Sequence, residues 1–397
     1  MQLEDRNIRF CIGSRKTLDK ILSVKSLPIF DKKILNFLDT LSKSLLSSQF
    51  IRSHPDIAAF AFWIRKKGME NVANKYQSDV LRLGRGLAFH ITPSNIPIQF
   101  AVSLVYGMLS GNTNIVRLSD KEFEEVDILC NAINKILSTE EFEAVRSYIC
   151  VIRYGHDDEV TEYLSSISDV RLIWGGDNTI YNMRKFKTKP RTVELCFADR
   201  DSIVIINADK YLEARHDILA KDFYNDTYSV DQNACSSPRI VIWMGKKVEE
   251  ARNIFWNSLK MELRGYDLSP MAGSEKLLQY CIFAQDHKNI SRTADDNKLV
   301  RVELNELFEN VLDYKSNMGY FFEYTIQSLV EIVPLLRNSC QTICYYGIES
   351  ENIRALVAKS GVRGVDRIVP MGHAQELSLV WDGFDIISHL SRIVSYL

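Results

Sequence analysis

Asp231-Gln232-Asn233-Ala234-Cys235-Ser236-Ser237-Pro238-Arg239 runs directly into the apolar stretch Ile240-Val241-Ile242-Trp243. Four apolar residues after a proline and an arginine read as a buried strand. The cysteine before them therefore falls in a loop rather than a core. Small neighbours leave room for a substrate carbonyl, and loop N–H groups can bind an oxyanion. The same pattern suits a half-buried structural thiol, because most intracellular cysteines behave as small hydrophobes. Cys235 alone does not decide between these readings.

Upstream, the chain alternates. Residues 1–80 read mostly as helices, with Ile34, Phe37, Leu38, Leu41 and Leu45 at helical spacing, followed by Ile57, Phe60 and Ile64. Strands are expected at 85–91, 113–118, 150–153, 170–174 and 202–206, with helices at 98–109, 122–137 and 158–165 between them. Strand–helix–strand repetition with apolar strands argues for a largely parallel sheet covered on both faces. A second region begins near Ala208, with strands at 239–244, 300–303 and 342–346. The expected organisation is a nucleotide-binding domain with a helical N-terminal part over 1–207 and a cysteine-bearing domain over 208–365. A C-terminal segment, 366–397, returns toward the first domain, and 385–396 read as a terminal helix.

The composition is that of an ordinary soluble globular protein: 397 residues, 25% charged and 46% hydrophobic. With Lys+Arg 49 against Asp+Glu 51, the net charge of −2 offers no electrostatic footprint for nucleic acid or an anionic membrane. The eight cysteines are scattered, with no CxxC pair, which argues against a zinc site. The N-terminal Met1-Gln2-Leu3-Glu4-Asp5-Arg6 lacks the apolar core of a signal peptide, and no apolar stretch reaches membrane-spanning length. A reducing cytoplasmic setting with free thiols is expected.

Two upstream segments bear on the cysteine. In Gly86-Leu87-Ala88-Phe89-His90-Ile91-Thr92-Pro93-Ser94-Asn95-Ile96-Pro97, two prolines stiffen a loop after a strand and place Asn95 between them. A fixed carboxamide can hold an oxyanion; equally, Ser94 or Asn95 can cap the following helix. In Val170-Arg171-Leu172-Ile173-Trp174-Gly175-Gly176-Asp177-Asn178-Thr179, a buried strand enters a Gly-Gly turn, either an ordinary turn or a place where backbone approaches a phosphate. No GxGxxG dinucleotide fingerprint follows any expected strand. His90 reads as a core histidine, and Phe60, Phe62 and Trp63 as core rather than acyl pocket.

Taken together, these segments resemble the aldehyde dehydrogenase superfamily, and more closely the LuxC-type fatty-acyl-CoA reductases. The matching stretches are Arg85–Pro97, Ser110-Gly111-Asn112-Thr113-Asn114-Ile115-Val116-Arg117, Ile173–Asp177 and Asp231–Arg239. Arg363-Gly364-Val365-Asp366-Arg367-Ile368-Val369-Pro370-Met371-Gly372 and Trp381-Asp382-Gly383 also match. They occur in the family's order from about residue 80 to the end. The resemblance implies two Rossmann-like α/β domains with the active site in the cleft between them. It puts Cys235 at the nucleophile's position and Asn95 at that of the oxyanion-holding amide. Thr92, Pro93, Ser94 and Arg117 fall where the cofactor's ribose and phosphate lie, and Gly175, Gly176 and Asp177 in the turn over its pyrophosphate. An arginine at 117, where relatives often carry lysine, leans toward NADPH (NADP+), since a guanidinium binds a 2′-phosphate bidentately.

Glu194 falls near the superfamily's general-base glutamate. The two glycines that usually follow are replaced by Cys196 and Phe197, so a salt-bridged strand carboxylate is the competing reading. Tyr320-Phe321-Phe322-Glu323 lies near the expected contact to the nicotinamide ribose. The implied reaction is reduction of an acyl thioester to a long-chain aldehyde through a Cys235 acyl-enzyme and hydride from NADPH. The donor is acyl-CoA, an acyl carrier or an acyl-enzyme. Alternatives are NAD(P)-dependent oxidation of an aldehyde to an acid, with Glu194 activating water, and a redox-inactive acyl-transfer partner. A homo-oligomer or a partner protein is possible on this reading.

Overall fold

The structure, a computed structural model, describes residues 6–76, 80–288 and 290–395. The chain forms two compact units, Met1–Ala198 with Leu377–Leu397, and Asp199–Glu376. Among the described residues, no helix is long and apolar enough to cross a membrane.

Unit 1 opens with β1 (Arg9–Ile12), followed by β2 (Leu81–Gly84), β3 (Leu87–Ile91), β4 (Thr113–Leu118), β5 (Ile149–Arg153), β6 (Val170–Trp174) and β7 (Val193–Phe197). Its six-stranded sheet has the order β1-β5-β4-β3-β6-β7, parallel except for β1. The chain thus winds outward from β3 through β4 to β5, then returns to place β6 on the other side of β3. That reversal leaves a crevice at the C-terminal ends of β3 and β6, the place where open α/β sheets receive ligands. The helix Lys32–Leu46 packs against the helices Pro55–Trp63 and Glu124–Leu137 because Ile34, Phe37, Leu38, Leu41 and Leu45 share one buried stripe. Burying each such side chain stabilises by about 1.5–3 kcal/mol. Asp31 caps it, accepting from Lys33 N–H at 2.9 Å.

A satisfied polar chain lies beneath the crevice. Asn114 Nδ2 donates to the carbonyls of Asn112 (2.8 Å) and Tyr148 (3.2 Å), so Oδ1 faces His90 Nε2, 3.1 Å away. Nε2 therefore carries the proton, and Nδ1 accepts from the Ser103 hydroxyl at 2.7 Å. Ser103 Oγ in turn accepts from Trp174 Nε1 at 2.9 Å. Burial depresses the His90 pKa to about 4, against a smaller upward pull from the Asn114 bond, which keeps the imidazole neutral. His90 is a core residue. The helix Gln99–Leu109 packs here so closely that a Cβ on Gly107 would lie 1.8 Å from Asn114 Oδ1.

Unit 2 holds β8 (Asp201–Asn207), β9 (Pro238–Met244), β10 (Ser291–Asp296), β11 (Leu299–Glu303), β12 (Tyr320–Ile326), β13 (Cys340–Tyr346) and β14 (Arg367–Pro370). Its order is β10-β11-β12-β9-β8-β13-β14, parallel except for β10. The expected boundary at 207/208 moves to 198/199, because β8 pairs with β9 and β13 and with no strand of unit 1. The boundary at 365/366 moves to 376/377, because β14 is a strand of the second sheet.

Beyond Leu377 the chain belongs to unit 1, where β15 (Val380–Trp381), β16 (Phe384–Asp385) and β17 (Ser391–Val394) follow. The expected terminal helix is only Ile386–Leu390. The run Arg392-Ile393-Val394, two of its residues β-branched, instead pairs antiparallel with β2. The helical reading of 1–80 likewise missed β1, which is short and half exposed.

Candidate functional site

The expected site residues lie at two places, one in each unit. In unit 1 they gather at the C-terminal ends of β3, β4 and β6. Parallel register sets Ile91 beside Arg117 on one side and Ile173 on the other. The loops that follow, beginning at Thr92 and at Gly175, therefore leave the sheet side by side. Thr92 is tied to β4, since its N–H (3.2 Å) and hydroxyl (2.8 Å) both donate to Arg117 O. Pro93 and Pro97 restrict the loop, and Ser94 and Asn95 between them are exposed. The capping alternative fails: the helix begins after Ile98, which makes no side-chain cap bond. Asn95 is thus a loop side chain on the surface rather than a helix terminus.

Gly175 N–H donates to Phe197 O at 3.3 Å, and Gly176 precedes the short helix Asp177–Met183 without a capping side chain. A Cβ on Gly175 would press within 3.0 Å of Thr179, so the turn is close-packed from behind. Asp177 is exposed at the helix start. Beside this edge, Thr92, Pro93, Pro97, Leu118, Lys121 and Arg153 line a shallow solvent-open groove with about 10 Å³ of room, roughly one water molecule. Arg117 stands next to it with its guanidinium 4.8 Å from the Tyr154 ring centre and one N–H on Gly155 O at 3.4 Å. Lys121 and Arg153 were not singled out from the sequence. Arg153 closes a parallel strand, and Lys121 reads as a loop cation until the strand ends are brought together.

Glu194 lies elsewhere. It is the second residue of β7, in register with Arg171 rather than with the C-terminal edge. Arg171, almost wholly buried, donates through Nε at 2.9 Å, and Arg184 Nε at 2.8 Å. Burial pushes the carboxyl up, but the hydrogen bonds from Arg184 and Arg171 outweigh it and hold Glu194 below the usual carboxylate range. Such a group is a poor proton acceptor near neutral pH. Glu323 is also remote from any open edge. It is buried in β12, accepting from Trp243 Nε1 (3.1 Å) and Trp256 Nε1 (2.7 Å).

In unit 2, Cys235 sits at the N-terminal edge of the sheet, immediately before β9, with a half-buried thiol. The loop is held at many points. Asp231 and Gln232 adopt left-handed backbone (φ 51° and 57°). Gln232 is wholly buried and fully satisfied. Its amide donates to Pro238 O (3.0 Å) and Tyr320 O (3.2 Å), and its carbonyl accepts from Gly319 N–H (2.9 Å) and Tyr320 N–H (3.2 Å). Tyr266 OH donates to Asp231 at 2.7 Å, Asn317 to Asn233 at 2.7 Å, and Ser202 OH to Cys235 O at 2.6 Å. A loop so pinned keeps its thiol in one place, as nucleophilic chemistry needs.

Charged groups surround that edge. Arg239 in β9 is buried, donating to Ser316 O and to Asn317. Burial pulls its pKa down to about 10, while the Asp201 carboxylate and the Cys235 sulfur pull it back up. Lys315 Nζ meets buried Asp201 at 2.6 Å. On the other flank, Gln341 Nε2 in β13 lies 3.5 Å from Cys235 Sγ. Arg239 was within the quoted motif but unassigned. Gln341 is 106 positions away, and nothing local in the sequence links it to Cys235.

Comparison with known proteins bears on the family and the fold. The family model described as acyl-CoA reductase (LuxC) matches residues 65–394. A long-chain acyl-protein thioester reductase of Aliivibrio fischeri is 24% identical over 328 residues, 79% of this chain and 64% of its own length. The chain therefore spans a little under two thirds of that relative. Among solved structures, lactaldehyde dehydrogenase from Escherichia coli superposes with a TM-score of 0.65 at 12% identity, covering 96% of this chain and 91% of that one. A benzaldehyde dehydrogenase from Corynebacterium glutamicum gives 0.64 at 8% identity, covering 96% and 87%. The fold is that of the aldehyde dehydrogenases.

Proposed function

Because the chain belongs to the LuxC family of acyl-CoA reductases, we propose that it reduces a long-chain acyl thioester to the aldehyde through an acyl-enzyme on Cys235. The observation that carries this reading is the Cys235 loop: a half-buried thiol in a backbone fixed by hydrogen bonds on both sides, with the Gln341 amide nitrogen 3.5 Å from its sulfur. The donor is acyl-CoA or an acyl group carried on a protein, as the names of the relatives suggest.

The residues at the unit 1 crevice suit a nicotinamide dinucleotide. Thr92, Pro93 and Ser94 would hold its ribose, and the Gly175-Gly176-Asp177 turn its pyrophosphate. Arg117 would meet a 2′-phosphate, which favours NADPH, and Lys121 and Arg153 in the adjoining groove add positive charge. When bound, the nicotinamide supplies the hydride.

The protein's own part follows. The Cys235 thiolate attacks the acyl carbonyl, and the donor thiolate leaves. The Cys235 N–H, in the loop before β9, donates to the oxyanion. Exchange of one thioester for another loses little energy, so the acyl group stays activated for reduction. Hydride addition gives a thiohemiacetal oxyanion, which collapses to aldehyde and returns the Cys235 thiolate. No water needs activating, which fits a Glu194 committed to Arg171 and Arg184 and disfavours oxidation to an acid. Mixing the protein with radiolabelled acyl-CoA should label wild type and leave Cys235→Ala unlabelled, with NADPH-dependent aldehyde formation abolished. Undiminished labelling of the variant would remove Cys235 from the nucleophile's role.

A further inference from the structure

We propose that Gln341 is the hydrogen-bond donor to the reacting sulfur, holding Cys235 ready for attack and receiving it back as the leaving group. This rests on Cys235 being the nucleophile. Gln341 is the second residue of β13 and is wholly buried. Parallel strands covered on both faces are normally filled with apolar side chains, and Ile343 and Cys344 follow that rule. A buried carboxamide needs partners for two N–H donors and its oxygen, or it destabilises the strand. The oxygen accepts the Thr342 hydroxyl at 3.1 Å, which turns the nitrogen toward Cys235 Sγ at 3.5 Å, a distance suited to N–H···S.

A donor aimed at sulfur discriminates between the forms the sulfur takes. It binds a thiolate strongly and a thioester sulfur weakly. It therefore favours the ionised nucleophile before attack. It acts again when the thiohemiacetal collapses: the C–S bond breaks, the electron pair goes to sulfur, and the carbonyl forms on the departing aldehyde. The displaced donor thiolate takes its proton from water, and the reductant is the reduced nicotinamide. The charged groups facing this edge are Arg239 on β9, Asp201 on β8, Lys315 before β12, and the Arg200–Asp366 pair beside β13 and β14. Arg239 supplies field from one side, and Gln341 supplies a directed N–H from the other.

Two near-isosteric variants test this. Gln341→Met removes the donor, and Gln341→Glu replaces it with an acceptor. The readout is the rate of Cys235 alkylation by iodoacetamide against pH, followed by mass spectrometry on the Cys235 peptide because Cys281 is exposed and also reacts. The midpoint should rise by about one unit in the methionine variant and further in the glutamate variant. kcat should fall roughly 10- to 100-fold at neutral pH, with the KM for acyl-CoA little changed. Midpoints matching wild type in both would overturn the proposal. Should Gln341→Met fail to fold, Gln341→Glu alone decides, since its shape is native and only its charge differs. The labelling of Cys235→Ala reports separately on the nucleophile, so failure of that reading is seen independently.

Discussion

The two sheets carry their candidate residues at opposite strand ends and by different means. In unit 1 the loops leave the C-terminal ends of β3 and β6, and what they offer is mostly backbone: a proline-stiffened turn and a glycine pair. In unit 2 the loop enters the N-terminal end of β9, and what it offers is side chains: Cys235, Arg239, Lys315, Asp201 and Gln341. Backbone groups suit a ligand whose phosphates and ribose are the same every time. Side chains suit a sulfur whose charge changes during each turnover. The supports differ accordingly. A neutral hydrogen-bonded chain through His90 underlies the first edge, and a set of ions surrounds the second.

The sharpest break of this comparison strikes the neutral support. Gly107→Ala places a methyl where Asn114 Oδ1 now sits, 1.8 Å from the new Cβ, and forces the helix Gln99–Leu109 off β4. Unit 1 should lose at least about 3 kcal/mol, the upper range for overpacking. Hydrogen exchange should accelerate in β3 and β4 and hold steady in β8, β9 and β13. Acceleration in both sheets alike would mean that the supports are not separate.

Much of unit 1 was readable in the sequence because its signals are local. The 3.6-residue stripe of Lys32–Leu46 and the short apolar strands 113–118 and 170–174 each declare themselves within ten or so residues. The Cys235 loop was readable as a loop because proline, serine and polar residues precede an apolar run. What could not be read is long-range. Glu194 could be read as a base or as a salt-bridged carboxylate until Arg171 and Arg184 were brought to it. Asn95 could equally have been a cap until the helix was seen to start four residues later, at Gln99. Gln341 looked like any strand residue between Cys340 and Thr342. Its meaning comes from β13 lying beside β8, whose Ser202 holds the Cys235 carbonyl.

Acid sharpens the comparison, because the two units carry buried titrating groups with opposite shifts. His90 is depressed to about 4 by burial, so the unfolded chain takes up its proton first as pH falls below 6.5. Stability from His90 is present above 6.5 and is lost as pH falls toward 4. Asp226 is raised to about 7, burial outweighing the N–H bonds from Gly372 and Ala374. Its contribution is full below the ordinary carboxyl range and is lost as pH rises through 7. Between pH 7 and pH 5, unit 1 should therefore weaken and unit 2 strengthen, each by about 2 kcal/mol. Hydrogen exchange resolved by strand, corrected for the intrinsic pH effect, measures both. Parallel responses in the two sheets would defeat the assignment, and His90→Asn and Asp226→Asn should each flatten only its own unit's slope.

The smallest effect is expected where a side chain assists a backbone site. If unit 1 binds its dinucleotide mainly through the Thr92–Ser94 loop and the Gly175-Gly176 turn, losing one cation costs selectivity rather than binding. Arg117 is already committed in part, with its guanidinium over Tyr154 and one N–H on Gly155 O, so only the remaining N–H groups can meet a 2′-phosphate. Arg117→Gln should lower the NADPH-over-NADH ratio of kcat/KM by less than tenfold, about 1 kcal/mol, while leaving kcat/KM with NADH nearly unchanged. The contrast with Gln341 is the point. A neutral amide against the reacting sulfur should matter more to turnover than a full positive charge beside the cofactor, because the first acts on a charge that develops during reaction and the second on one already present in both states. A larger loss at Arg117 than at Gln341 would reverse that ranking and place the side-chain chemistry at the wrong edge.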